Sequence, residues 1–166
     1  MIDNHTKRQG TLCFLIDGER VLLAMKKRGL GTGKWNGSGG KVKPGETIEA
    51  AAVRELREEV GVKVPAEELQ KVGFLMFRNS YTAELNWDVH VFFIRTWQGE
   101  PSESEEMRPQ WFYRREIPFD QMWVDDQHWL PPVLAGKQIE AEFHFNPDGS
   151  ELERFEIREV QPPPGG

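Results

Sequence analysis

The stretch from Gly40 to Val62, GKVKPGETIEAAAVRELREEVGV, constrains this chain more than any other. Pro44-Gly45 signals a turn, and Thr47 is placed to cap a helix that runs to about Val60, where Gly61 stops it. Glu49 falls in the first turn, where a negative charge suits the helix dipole. At about 100° per residue, Ile48, Ala52, Leu56 and Val60 form one apolar strip, so this helix needs a core to lie against. Glu55, Glu58 and Glu59 form a second strip beside the first, and Arg57 points away from it.

Crowded carboxylates repel in water, and more so when partly buried. A hard divalent cation reverses that sign. Oxygen ligands without His or Cys point to Mg²⁺, with Mn²⁺ as the alternative, and such ions usually bridge to substrate phosphates. An ordinary solvated acidic face has the same composition, so the strip alone leaves both readings open.

With 166 residues, of which 38% are hydrophobic, the chain suits one soluble domain with a sizeable core. A net charge of −6 argues against a nucleic-acid polymer as the main partner. The charge is unevenly placed, however. From Arg20 to Lys43 there is no acid, but there are Arg20, Lys26, Lys27, Arg28, Lys34, Lys41 and Lys43. A basic arm beside a carboxylate cluster suits a metal-bound polyphosphate, although a solvated basic surface is the plainer alternative. The one cysteine, Cys13, lies in an apolar run and reads as a buried small residue in a reducing cytoplasm. No signal peptide or membrane span is expected, and the histidines lack paired ligand spacing for zinc.

In chain order, Thr11–Ile16 and Val21–Met25 read as strands around Asp17-Gly18, followed by a loop through Gly29, Gly31 and Gly33. Trp35–Val42 reads as one glycine-rich strand before the helix. Val72–Phe77, Trp87–Trp97 and Gln110–Tyr113 read as further strands, with an acidic loop at Gly99–Glu106. A second helix is expected to start near Asp125, although Pro131 and Pro132 oppose it unless they sit in its first turns or kink it. Phe143–Ile157 reads as a final hairpin across Pro147-Asp148-Gly149, and residues 1–9 and 161–166 as disordered tails. The sum is an α+β fold in a single domain over 1–166.

Written generically, Gly40–Val62 is G-x5-E-x7-R-E-U-x-E-E-x-G-U, with U a bulky aliphatic. The chain thereby resembles the Nudix hydrolases at every specified position. The segments VLLAMKKRGLGTGKWNGSGGKV, WDVHVFF, EEMRPQWF and IPFDQMWVDDQHW extend the similarity to the branch acting on oxidised purine nucleoside triphosphates, over about residues 11–160. The resemblance implies an α/β/α sandwich with a mixed curved sheet and two main helices. It also implies Mg²⁺-dependent hydrolysis of 8-oxo-dGTP and 2-hydroxy-dATP to the monophosphate and pyrophosphate by a cytoplasmic, monomeric enzyme of the nucleotide pool.

Carried over by position, Glu55, Glu58 and Glu59 bind metal, joined by the Gly40 carbonyl and by Glu106. Glu59 or Glu58 is the catalytic base, and Arg54 orients a glutamate, with Glu46 its expected partner. Asn36, Asp125 and Asp126 read the base, Trp123 forms the wall beneath it, and Thr11, Lys26 and Phe77 complete the pocket. Without the resemblance, Trp123 would read as a core residue, Asp125-Asp126 as helix caps and Asn36 as a turn residue. Leu30 and Asn79 stand where those relatives carry phenylalanines, Trp87 replaces a methionine and Val124 a proline. Ordinary NTPs, dinucleoside polyphosphates or pterin triphosphate are alternative substrates. A non-catalytic nucleotide-binding or RNA-binding module is the alternative of another class, although such a descendant is free to lose box glutamates, and all are present here. Asp125 and Asp126, if held close in a partly apolar pocket, are expected to share one proton and so match two hydrogen-bond patterns.

Overall fold

The computed structural model describes residues 8–160. The elements in chain order are β1 (Arg8–Asp17), β2 (Arg20–Lys26), β3 (Trp35–Asn36), β4 (Ser38–Lys41), α1 (Ile48–Val60), β5 (Gln70–Arg78), β6 (Trp87–Ile94), β7 (Met107–Tyr113), α2 (Asp126–Leu134), β8 (Gln138–Phe145) and β9 (Leu152–Val160), with short 3-10 turns between some of them. The strands form a mixed sheet in the order β3-β2-β1-β6-β5-β8-β9, with β4 also on β1 and β7 also on β2. β1 runs parallel to β6, and β5 parallel to β8. Parallel neighbours need a long crossover, and the two crossovers carry α1 and α2.

Alternation along the strands divides the core in two. Cys13, Leu15, Phe92 and Ile94 pack with Ala52, Leu56 and Val60 of α1. Phe14, Val91, Phe93 and Phe143 pack with Trp129, Leu130 and Val133 of α2. One helix therefore covers each face, giving the α/β/α arrangement that the resemblance implies. Burial pushes the Cys13 thiol up, so it stays an uncharged packing group.

The α1 boundaries follow the expected signals. The Thr47 side chain accepts from the Ala50 N–H at 3.0 Å, and Gly61 ends the helix with φ 75°. The glycine-rich strand expected at 35–42 is instead two short strands broken at Gly37, one pairing with β2 and the other with β1. In α2, Pro131 and Pro132 lie in the second turn rather than the first. Arg114 Nη1 donates to the Leu134 carbonyl at 2.8 Å, and Trp129, Leu130 and Val133 hold the helix by burial. Of the expected tails, residues 1–7 and 161–166 lie outside the described residues. Arg8 and Gln9 are not tail but the start of β1, paired with Trp87 and Asp88.

Candidate active site

The site forms where β4 lies between β1 and α1. Thr11 pairs with Gly40 and Leu12 with Gly39. A Cβ on Gly39 would fall 1.8 Å from the Thr11 carbonyl oxygen, and one on Gly40 would fall 2.7 Å from the Glu55 carboxylate. Only glycine lets the strand backbone approach both neighbours this closely. Glu59 uses that approach, its Oε1 accepting from the Gly39 N–H at 2.9 Å.

Arg54 organises the remaining box carboxylates. It donates to both oxygens of Glu46, at 2.7 and 3.0 Å, and to Glu55 Oε1 at 2.7 Å. It also reaches the Lys41 carbonyl at 3.0 Å and Glu58 at 3.4 Å. The Arg54 hydrogen bond, with the Lys43 N–H, holds the Glu46 carboxyl down at about 2. Burial pushes Glu55 up, against the pull of Arg54. Burial raises Glu59 to about 7, helped by the charges of Glu55 and Glu106 and opposed by the Gly39 N–H and Lys26.

A cavity of about 300 Å³ opens beside this framework, lined among others by Thr11, Lys26, Asn36, Gly40, Glu59 and Phe77. Trp123, Asp125 and Asp126 complete its wall. Asp125 and Asp126 are 3% and 2% exposed, too buried for surface caps. Asp125 makes no capping bond; its Oδ2 accepts from the Trp129 indole N–H at 2.9 Å. Asp126 Oδ2 and Thr11 Oγ1 are buried without a partner. Unpaired buried polar atoms are costly, and both belong to residues that line the cavity. Burial raises the carboxyls of both aspartates. The charge of Asp125 adds to the rise of Asp126, and the Trp129 N–H restrains both. Asn36 Oδ1 is engaged by the Gly37 N–H at 2.8 Å, so its amide nitrogen is the group left to meet a ligand.

Glu59 is the box glutamate that reaches the cavity lining; Arg54, Glu55 and Glu58 stand behind it. Glu106 also lies outside the lining, its Oε1 accepting from Arg28 Nε and Nη2 at 3.0 and 2.7 Å. Among the described residues, no three His, Cys, Asp or Glu side chains converge as a ready-made metal cage. The carboxylates are instead held by Arg54, the Gly39 N–H and Arg28. The donor set still fits a hard divalent cation, because Glu55 lies against the Gly40 backbone and Glu59 is anchored one residue away.

Several site residues were not legible as such. Trp129 stands one helical turn after Asp125, a spacing that could have revealed the pair. Lys34 lies 5.4 Å over the Trp123 ring and lines the cavity, although the sequence marks it only as part of the basic arm. Phe145 and Gly149 join the lining from the β8–β9 hairpin, with no local signal to announce it. Asn79 is buried and structural. Its Oδ1 accepts from the Tyr81 and Thr82 N–H groups, and its Nδ2 ties this turn to the Asn146 carbonyl.

The NUDIX domain profile matches residues 6–161. The oxidized purine nucleoside triphosphate hydrolase of Mus musculus is 48% identical over 155 residues, 93% of this chain and 97% of that protein. The protein of the same name from Danio rerio is 51% identical over 140 residues, 84% of this chain and 88% of that one. The crystal structure of a mutator MutT protein from Bacillus halodurans superposes with a TM-score of 0.76 at 26% identity, over 90% of this chain and 97% of that one.

Proposed function

The chain belongs to the Nudix hydrolase family, and on that premise we propose that it hydrolyses oxidised purine nucleoside triphosphates, 8-oxo-dGTP and 2-hydroxy-dATP among them. The products are the nucleoside monophosphate and pyrophosphate. One observation carries the reading: a single cavity joins Glu59, from the acidic helix, to buried Asp125 and Asp126 beside Trp123. Phosphate chemistry and base recognition are thereby served by one continuous space.

Nudix hydrolases generally use divalent metals, and the one used here is Mg²⁺, with Mn²⁺ able to replace it. Glu55, Glu58, Glu59 and the Gly40 carbonyl would hold it, with Glu106 joining, and it would supply positive charge along the polyphosphate. The protein's own groups do the rest. Trp123 stacks on the purine, Asn36 offers an amide to its edge, and Asp125 and Asp126 share a proton across it. Thr11 and Lys26 lie along the way from base to phosphates. Glu59, the box carboxylate at the cavity wall, takes a proton from the attacking water as the α–β anhydride bridge opens. Arg54 keeps Glu46 and Glu55 in place behind it.

A single domain spans the chain, working as a monomer on small nucleotides in the cytoplasm rather than on nucleic-acid polymers or membranes. Among the described residues, no helix is long and apolar enough to cross a membrane, and the one cysteine is buried. Product analysis tests the reaction: with Mg²⁺ and 8-oxo-dGTP, monophosphate and pyrophosphate should appear in equal amounts. Orthophosphate and the nucleoside diphosphate as products, or no turnover, would overturn it.

A further inference from the structure

Two loops meet at one wall of the cavity. The β5–β6 loop brings Leu85 there, and the tip of the β8–β9 hairpin brings Gly149. A Cβ on Gly149 would lie 3.9 Å from Leu85 Cδ1 and 4.0 Å from Trp123 Cζ3, so the hairpin tip rests against both Leu85 and the indole edge. The ladder beneath does not hold this contact, because β5 and β8 pair only as far as Arg78 and His144.

Asn79, the first residue beyond that ladder, joins the two loops. Its Nδ2 donates to the Asn146 carbonyl at 2.9 Å, and the same carbonyl accepts from the Gly149 N–H at 3.0 Å. One acceptor therefore links the Asn79 amide to the turn that carries Gly149. On its own side, Asn79 Oδ1 accepts from the Tyr81 and Thr82 N–H groups at 2.8 and 2.9 Å. The Thr82 carbonyl then accepts from the Leu85 N–H at 3.1 Å. Asn79 is 4% exposed, so water does not compete for these bonds. A second tie, from the Tyr81 hydroxyl to Glu153 at 2.9 Å, is exposed to water. The hairpin's own bonds, such as Asn146 N–H to the Glu151 carbonyl at 2.9 Å, shape its turn but do not fix its place against the β5–β6 loop.

We propose that Asn79 is a positioning residue for base recognition, holding Gly149 through the Asn146 carbonyl against Leu85 and the edge of Trp123. This rests on the stacking role given to Trp123 above. Asn79 itself lies outside the cavity lining. Without its tie the two loops part, the Trp123 edge loses its backing, and purine binding weakens while the chemistry at Glu59 is left alone.

Asn79→Asp isolates the tie. It keeps an oxygen for the Tyr81 and Thr82 N–H groups, removes the donor, and sets a second oxygen against the Asn146 carbonyl. The test is kcat and KM with Mg²⁺ for 8-oxo-dGTP and dGTP, together with inhibition by inorganic triphosphate, which has no base. Asn79→Asp should raise KM by about three- to tenfold, the change that losing one hydrogen bond allows, with kcat within about twofold. Both nucleotides should lose by the same factor, because Trp123 meets the face that they share. Inhibition by inorganic triphosphate should not change. A fall in kcat with KM unchanged, or a matching loss of triphosphate inhibition, would overturn the proposal. Wild-type indifference between the two nucleotides would instead break the oxidised-purine reading, with the Asn79 effect still readable on both. Hydrogen exchange of wild type needs no variant: saturating 8-oxo-dGMP should slow the Leu85 and Gly149 amides together. No slowing at either would overturn the proposal even if Asn79→Asp fails to fold.

Discussion

The Trp129 indole N–H donates to Asp125 Oδ2 at 2.9 Å, on one of two adjacent buried carboxyls. Asp125 has a donor to support its charge, whereas Asp126 Oδ2 has none. Burial raises both carboxyls, and the charge of Asp125 raises Asp126 further. On the proposal that the pair shares one proton, a base whose edge offers a donor to Asp126 draws that proton to Asp125, whereas one offering an acceptor leaves it on Asp126. Neither case requires the backbone to move.

Asp126→Asn replaces that adaptable group with a fixed amide. The ratio of kcat/KM between 8-oxo-dGTP and 2-hydroxy-dATP should change by about tenfold or more, since a misplaced buried hydrogen bond costs roughly 1–3 kcal/mol. Metal affinity should stay near wild type. Equal losses for every triphosphate would show that Asp126 does not read the base.

The same carboxyl makes stability depend on pH. Burial first, and then the charge of Asp125, raise Asp126 in the folded protein, while Lys34 and the backbone and indole N–H groups around it oppose the rise. The folded state therefore keeps a proton that the unfolded chain releases above about pH 4. Stability from this group is intact below that point and falls as pH climbs towards the raised value. The melting temperature of Asp126→Asn, relative to wild type, should rise between pH 4 and pH 8. A difference that stays flat across this range would show that Asp126 does not titrate as described.

Glu59 links the packed helix to the cavity. Glu59→Gln should lower kcat by at least ~10²-fold, the usual scale for losing an acid–base group or metal ligand. The melting temperature without metal should hold or rise, because a buried carboxylate with Glu55 beside it is neutralised. Turnover near wild type would remove Glu59 from the chemistry.

Much of this was legible in the chain because its signals are local. Thr47, the Ile48-Ala52-Leu56-Val60 strip and Gly61 define α1 within one stretch of sequence, and the spacing of Glu55, Glu58 and Glu59 follows from the helix. The pocket residues Asn36, Trp123, Asp125 and Asp126 were reached through resemblance, since alone each has a plainer structural reading. What stayed hidden depends on distant pairing. The break at Gly37 arises because β3 and β4 choose different partners, β2 and β1. The grip of Arg28 on Glu106, and the arrival of Phe145 and Gly149 at the cavity, depend on loops brought together only by the sheet. Pro131 and Pro132 argued against a helix by local rules, but burial of Trp129 and Leu130 outweighed them.

On this proposal, one cavity selects an oxidised purine and presents its triphosphate to the acidic helix. Steady-state kcat/KM with Mg²⁺, measured for 8-oxo-dGTP, 2-hydroxy-dATP, dGTP and dATP on the same preparation, tests it most directly. Both oxidised nucleotides should exceed their ordinary counterparts by about tenfold or more, the margin expected from one or two well-placed buried hydrogen bonds. Equal values for oxidised and ordinary purines would contradict the account of the pocket, whatever the rate of hydrolysis.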